Sequence, residues 1–140
     1  MSNVQLTLIE GDRDREFYAD MGPFFASAEV SKELGSPLYD EAGSFWVIAR
    51  KAKKVVGWSV FRIRKDGVAV FDWTYVVPEW RQEGLWERLY DFKMDWLRER
   101  GVARVNTATS DEDMQRAFKK RGWRVRREKG AWLFYEREVF

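Results

Sequence analysis

Between Phe45 and Val76 the sequence sets down three strand-like runs in succession, and Pro78 then closes the series. Phe45-Trp46-Val47-Ile48-Ala49 comes first, the basic turn Arg50 to Lys54 leads into Val55 to Arg64, and Lys65-Asp66-Gly67 turns the chain into a third run, Val68 to Val76. All three are rich in β-branched and aromatic residues, which suit a pleated, half-buried surface. Connections this short join antiparallel neighbours, because a parallel pair needs a crossover of about a dozen residues. The middle of the chain is therefore expected to be an antiparallel meander.

The flanks build around it. Gln5 to Ile9 alternates as a first strand closed by Gly11, and Asp12 is read as the N-cap of a helix carrying Phe17 and Tyr18 that Gly22-Pro23 ends. Phe24 to Leu34 reads as a second helix, stopped by Gly35. After the meander, Leu85, Leu89, Phe92 and Trp96 recur at helical spacing, flanked by Trp86 and Leu97, up to Gly101. Val102 to Ala108 is a strand. Asp111 opens a helix bearing Met114, Ala117 and Phe118 that Gly122 stops, and Arg124 to Glu128 with Ala131 to Glu138 form a last hairpin. The expected fold is α/β (α+β), with a mixed, mostly antiparallel sheet of about seven strands, four helices on its faces, and a single domain over residues 1–140.

Composition removes several chemistries. The 140 residues contain no cysteine and no histidine, which excludes disulfides, thiolate nucleophiles, imidazole bases and thiolate- or imidazole-ligated metals. Any catalysis must rest on carboxylates, tyrosines, lysines, hydroxyls or backbone groups. No apolar run has bilayer length and no export signal is visible, so the cytoplasm is the expected compartment. Net charge is only +2, although Lys119, Lys120, Arg121, Arg124, Arg126, Arg127 and Lys129 crowd one segment.

The stretch VVPEWRQEGLWERLY carries the functional signal. Pro78 cannot continue a central ladder, so pairing should end near Val76-Val77. Gly84 permits a backbone conformation or close approach that a side chain would block. The helix from Leu85 presents unpaired N–H groups and the positive end of its dipole. Strand end, turn and helix start together suit a phosphate-bearing ligand.

Here the sequence resembles the GNAT family of N-acetyltransferases. Val76-x-Pro78-Glu79-x-Arg81-x-x-Gly84 is similar to the family's acetyl-CoA signature, and Asp111-x-x-Met114-x-x-x-Phe118-x-x-x-Gly122-Trp123 resembles its downstream segment. The order of elements agrees as well. The resemblance implies direct acyl transfer from acetyl-CoA, or another acyl-CoA, to a small-molecule or protein amine, without a metal. It places the Val76 amide on the thioester carbonyl and the amides from Arg81 through Gln82, Glu83, Gly84 and Leu85 to Trp86 on the pyrophosphate, with Asp111 and Phe118 also at the cofactor.

Asp72, on the same side of its strand as Thr74 and Val76 by alternation, is the candidate general base. Tyr75, Glu79 and Asn106 are weaker candidates. Three positions depart from the family pattern. Trp86 stands where Gly or Ala is expected, Phe118 where many members have a thiolate-protonating tyrosine, and Asp111 where Asn is usual. These departures motivate the alternative, a catalytically inactive GNAT-like module that binds a protein or a nucleic acid, the nucleic acid through the basic segment and its interleaved Trp123 and Trp132. No membrane partner is expected, and the chain is read as a monomer or homodimer.

Overall fold

Two-residue and three-residue turns leave the meander little freedom, and the structure, a computed structural model describing residues 3–140, follows the expected order. The elements are β1 (Val4–Ile9), α1 (Arg15–Phe25), α2 (Ala28–Leu34), β2 (Phe45–Lys51), β3 (Lys54–Ile63), β4 (Ala69–Val76), α3 (Leu85–Glu99), β5 (Arg104–Thr109), α4 (Glu112–Lys120), β6 (Arg124–Lys129) and β7 (Trp132–Glu138), with one 3-10 turn at Pro78–Trp80. The strands form one seven-stranded sheet in the order β1-β2-β3-β4-β5-β7-β6. Pairings β1/β2, β5/β7 and β6/β7 are antiparallel, whereas β4/β5 is parallel. The mixed sheet with four helices is the fold class read from the sequence.

Contacts divide the chain into two compact units, the first running up to Val60 and including Trp73–Leu89, the second comprising Phe61–Asp72 and Tyr90–Phe140. In the first, Phe17 and Met21 of α1, Val30 of α2, Trp46 and Ile48 of β2, and Trp58 and Tyr75 form one buried cluster. The Trp58 and Tyr75 rings stack at 5.6 Å, and Trp46 meets Trp58 at 5.4 Å. In the second, Phe118 of α4 lies 5.1 Å from Trp123 and 5.5 Å from Tyr135. There the Trp123 indole donates to the Tyr90 hydroxyl at 2.8 Å.

The helix ends differ from the sequence reading in instructive ways. Asp14, not Asp12, caps α1, its carboxylate accepting from the Phe17 amide at 2.8 Å. Gly22-Pro23 does not end α1, which continues to Phe25. The hydrogen bond that proline forfeits is offset because Phe24 and Phe25 reach Trp58 and Trp46 at 6.0 and 5.7 Å. α2 starts at Ala28 rather than Phe24, because Ser27 caps it by accepting from the Val30 amide at 3.1 Å. The buried stripe of α3 is Leu85, Leu89, Tyr90, Lys93, Met94 and Leu97, while Phe92 and Trp96 are only half-buried.

Candidate active site

β4 ends where Val77 donates to the Val56 carbonyl at 3.0 Å, so contact with β3 persists to the residue before Pro78. By alternation the Val76 amide, one residue earlier, points away from β3. Near its start, β4 pairs in parallel with β5 at Ala69–Val105 and Val70–Asn106. At the next position the Thr107 hydroxyl, not a backbone amide, donates to the Phe71 carbonyl at 3.0 Å. β4 thus keeps a backbone bond to β3 at its far end and pairs with β5 at its start.

The turn after Pro78 is wound in the left-handed region at two places, Gln82 with φ +65° and Gly84 with φ +83°. A Cβ on Gly84 would meet nothing within 4 Å, so glycine is favoured there by conformation and not by crowding. Residues Arg81, Gln82, Glu83 and Gly84 are all exposed. The Gly84 carbonyl accepts from Arg88 at 3.1 Å and so starts α3, whose first-turn amides have no partner within the helix. An exposed turn opening onto these donors is a cradle that an anion fits.

Gly57 seats that helix. A Cβ there would come 3.0 Å from Leu85 Cδ2 and 3.1 Å from the Tyr75 carbonyl. Leu85 is thereby pressed onto β3 and is 1% exposed. Trp86, next in the helix, is half-buried.

Arg81 behaves differently from the rest of the turn. Its amide donates to the Pro78 carbonyl at 3.3 Å, so this amide, which the sequence placed on the pyrophosphate, already has a partner. Its side chain folds back, Nε donating to the Val76 carbonyl at 2.8 Å and Nη2 to both carboxylate oxygens of Glu33 at 3.0 and 2.9 Å. The guanidinium also covers the Tyr75 ring at 5.3 Å. Burial, first, and the Glu33 charge push the Tyr75 hydroxyl above its ordinary pKa, while Arg81 pulls the other way.

In the second unit Asp72 accepts from Arg62 Nε at 3.2 Å. Facing Asp72 electrostatically is a residue the sequence reading passed over, Lys93, which is 3% exposed. Burial pulls its pKa from 10.5 to about 7, against the opposing Asp72 charge. Asn106 on β5 is buried, and its Oδ1 has no hydrogen-bond partner. Asp111 caps α4, accepting from Asp113 and Met114 amides at 2.8 and 3.4 Å, and Phe118 sits in the aromatic cluster. Each thus has a structural task in holding α4. Glu79 is exposed on the 3-10 turn.

Among the described residues no group of three carboxylates, histidines or cysteines converges as a metal site, and no helix is long and apolar enough to cross a membrane.

A family model described as the Acetyltransferase (GNAT) family matches residues 10–123. No curated protein matches the chain. Among solved structures, an acetyltransferase of the GNAT family from Staphylococcus aureus Mu50 superposes with TM-score 0.73 at 14% identity, covering 97% of this chain and 100% of that one. The ribosomal-protein-S18-alanine N-acetyltransferase from Escherichia coli does so with TM-score 0.69 at 12% identity, covering 96% and 94%. A protein assigned as a streptothricin acetyltransferase from Bacillus anthracis strain Ames, solved in complex with acetyl coenzyme A, gives TM-score 0.59 at 15% identity over 69% of this chain and 63% of that one.

Proposed function

The chain belongs to the acetyltransferase (GNAT) family, and from that premise we propose that it is an acyl-CoA-dependent N-acyltransferase, passing an acetyl group directly to an amine. The observation that carries this reading is the exposed left-handed turn Gln82–Gly84 at the start of α3. A pyrophosphate there would meet amides of Gln82, Glu83, Gly84, Leu85 and Trp86 and the positive end of the helix dipole. Bound acyl-CoA supplies a thioester carbonyl carbon as electrophile.

Val76 acts through its backbone. Its amide, turned away from β3, donates to the thioester oxygen as charge develops there, a contribution whose loss typically costs on the order of 10²–10³ in rate. Asp72, oriented by Arg62, takes the proton that the amine sheds as its nitrogen bonds to the carbonyl carbon. The C–S bond breaks and the thiolate departs. Phe118 has no hydroxyl to protonate it, so the leaving group depends on its own stability and on solvent.

Calorimetric titration with acetyl-CoA tests the binding half: a saturable one-site isotherm is expected, and a flat trace overturns the reading. Release of the CoA thiol with a panel of primary amines tests turnover, and Asp72→Asn should keep the isotherm while lowering the release rate by about a hundredfold or more. A second reading, a binding module without turnover, is favoured by the burial of Phe118 at the tyrosine position. Normal CoA binding with no thiol release from any amine would select it.

A further inference from the structure

Charge is distributed very unevenly in this chain. Residues 116–129 hold eight lysines and arginines against the single Glu128, a net +7, while the whole chain is only +2, so the remaining residues sum to −5. All six residues of β6 are exposed, as are Lys119 and Lys120 at the end of α4, and β6 is an edge of the sheet. Among the described residues, Lys119, Lys120, Arg124, Arg126 and Lys129 have no acidic partner at ion-pair distance. A solvated surface of this sign with so little internal compensation attracts polyanions.

Register sharpens the chemistry. Arg124 pairs with Glu136, Arg127 with Phe134 and Lys129 with Trp132, and alternation along β7 puts these three pairs on one face. The opposite face is the one where Tyr135 packs on Phe118. Arg127 lies 4.2 Å from the centre of the Phe134 ring, and Trp132 is 41% exposed. Cations thus alternate with aromatic rings along the ribbon. Arginines match phosphate oxygens in bidentate fashion, and an indole left in water between cations offers a stacking surface for a base. An acidic peptide would use the charge and leave the indole idle.

We propose that the β6–β7 ribbon, with the basic end of α4, binds single-stranded nucleic acid through phosphate contacts and stacking on Trp132. This binding is independent of acyl transfer.

Fluorescence anisotropy of a labelled oligouridine of about twelve nucleotides tests it. Four to five phosphate contacts predict a log–log salt slope near −3, so affinity should fall by roughly a hundredfold between 50 and 200 mM salt. Arg126→Glu with Lys129→Glu should flatten the slope and abolish most binding. Lys53→Glu with Lys65→Glu, an equal change of net charge placed in the β2–β3 and β3–β4 turns, should leave affinity within a few-fold. Trp132→Ala should cost about tenfold with the slope unchanged, each variant being compared at a thermal midpoint matching the parent, with Arg124→Gln replacing any that unfolds. No binding at 50 mM salt, equal loss in the control pair, or polyglutamate competing as well as the oligonucleotide with no effect of Trp132→Ala overturns the proposal, the last result pointing to an acidic protein instead.

Discussion

The Lys93 ammonium lies 3.8 Å from the centre of the Phe71 ring on a residue that is 3% exposed. Ring quadrupole and the Asp72 charge favour the cation, but burial outweighs them and brings the pKa down to about 7. Between about pH 7 and the ordinary lysine value of 10.5, the unfolded chain therefore carries a proton that the folded chain has released. Stability should rise with pH across that window, and below about pH 7 the full cost of a buried charge is present. Lys93→Met should remove the slope and raise stability near pH 6 by about 1–4 kcal/mol. Urea midpoints at pH 6, 8 and 9.5 for both proteins measure this, and parallel pH profiles would contradict it.

Gly57 is the contact on which the seating of α3 depends. Of the two atoms an added methyl would strike, Leu85 Cδ2 at 3.0 Å can rotate, but the Tyr75 carbonyl at 3.1 Å belongs to the neighbouring strand. Gly57→Ala should cost about 1–3 kcal/mol and, by lifting the start of α3, weaken acetyl-CoA binding as well. Chemical denaturation gives the first number and calorimetry the second. A neutral variant would mean that β3 and α3 separate more easily than the packing implies.

Local patterns in the sequence were enough to read the order of elements, the meander and the turn at Gln82–Gly84, because alternation, helical spacing and turn residues are short-range signals. What escaped the sequence depends on partners distant along the chain. Lys93 sits in a charged helical stretch where no short-range signal singles it out, and its burial follows only from Phe71, on β4, across from it. Pro23 reads as a helix stop, and only the aromatic contacts of Phe24 and Phe25 explain why it is not one. Arg81 was legible as part of the turn, but its clasp on Glu33 spans 48 residues and no spacing rule announces it.

Gln82 and Gly84 share a left-handed backbone and differ in what it costs them. Gly84→Ala adds a methyl that touches nothing, so its penalty is purely conformational, about 1–2 kcal/mol. Gln82→Gly relieves a similar cost while adding about 0.5–1 kcal/mol of chain entropy, and should be neutral to slightly stabilising. Thermal midpoints of the two variants should therefore move apart. Movement of both in the same direction would show that side-chain contacts of Gln82, not its φ of +65°, dominate there.

Glu33 brings a carboxylate to the turn proposed to hold a pyrophosphate. The Arg81–Glu33 pair is half exposed, with side chains 40% and 50% accessible, so its contribution to stability is at most about 1 kcal/mol. Its effect on ligand binding has the opposite sign, because the carboxylate both occupies the guanidinium and repels an incoming phosphate. Glu33→Gln should leave the denaturation midpoint nearly unchanged and tighten acetyl-CoA binding by about two- to fivefold at low salt, equivalent to about 0.4–1 kcal/mol. Screening should erase most of that gain near 1 M salt, where the Debye length is about 3 Å. Arg81→Gln should weaken binding and change the size of the Glu33 effect, since Glu33→Gln would then relieve only the direct repulsion of the phosphate and no longer release the guanidinium. Titrations of the parent, both single variants and the double variant at low and high salt complete the cycle, and additive effects of the two substitutions would show that Arg81 does not mediate between Glu33 and the ligand.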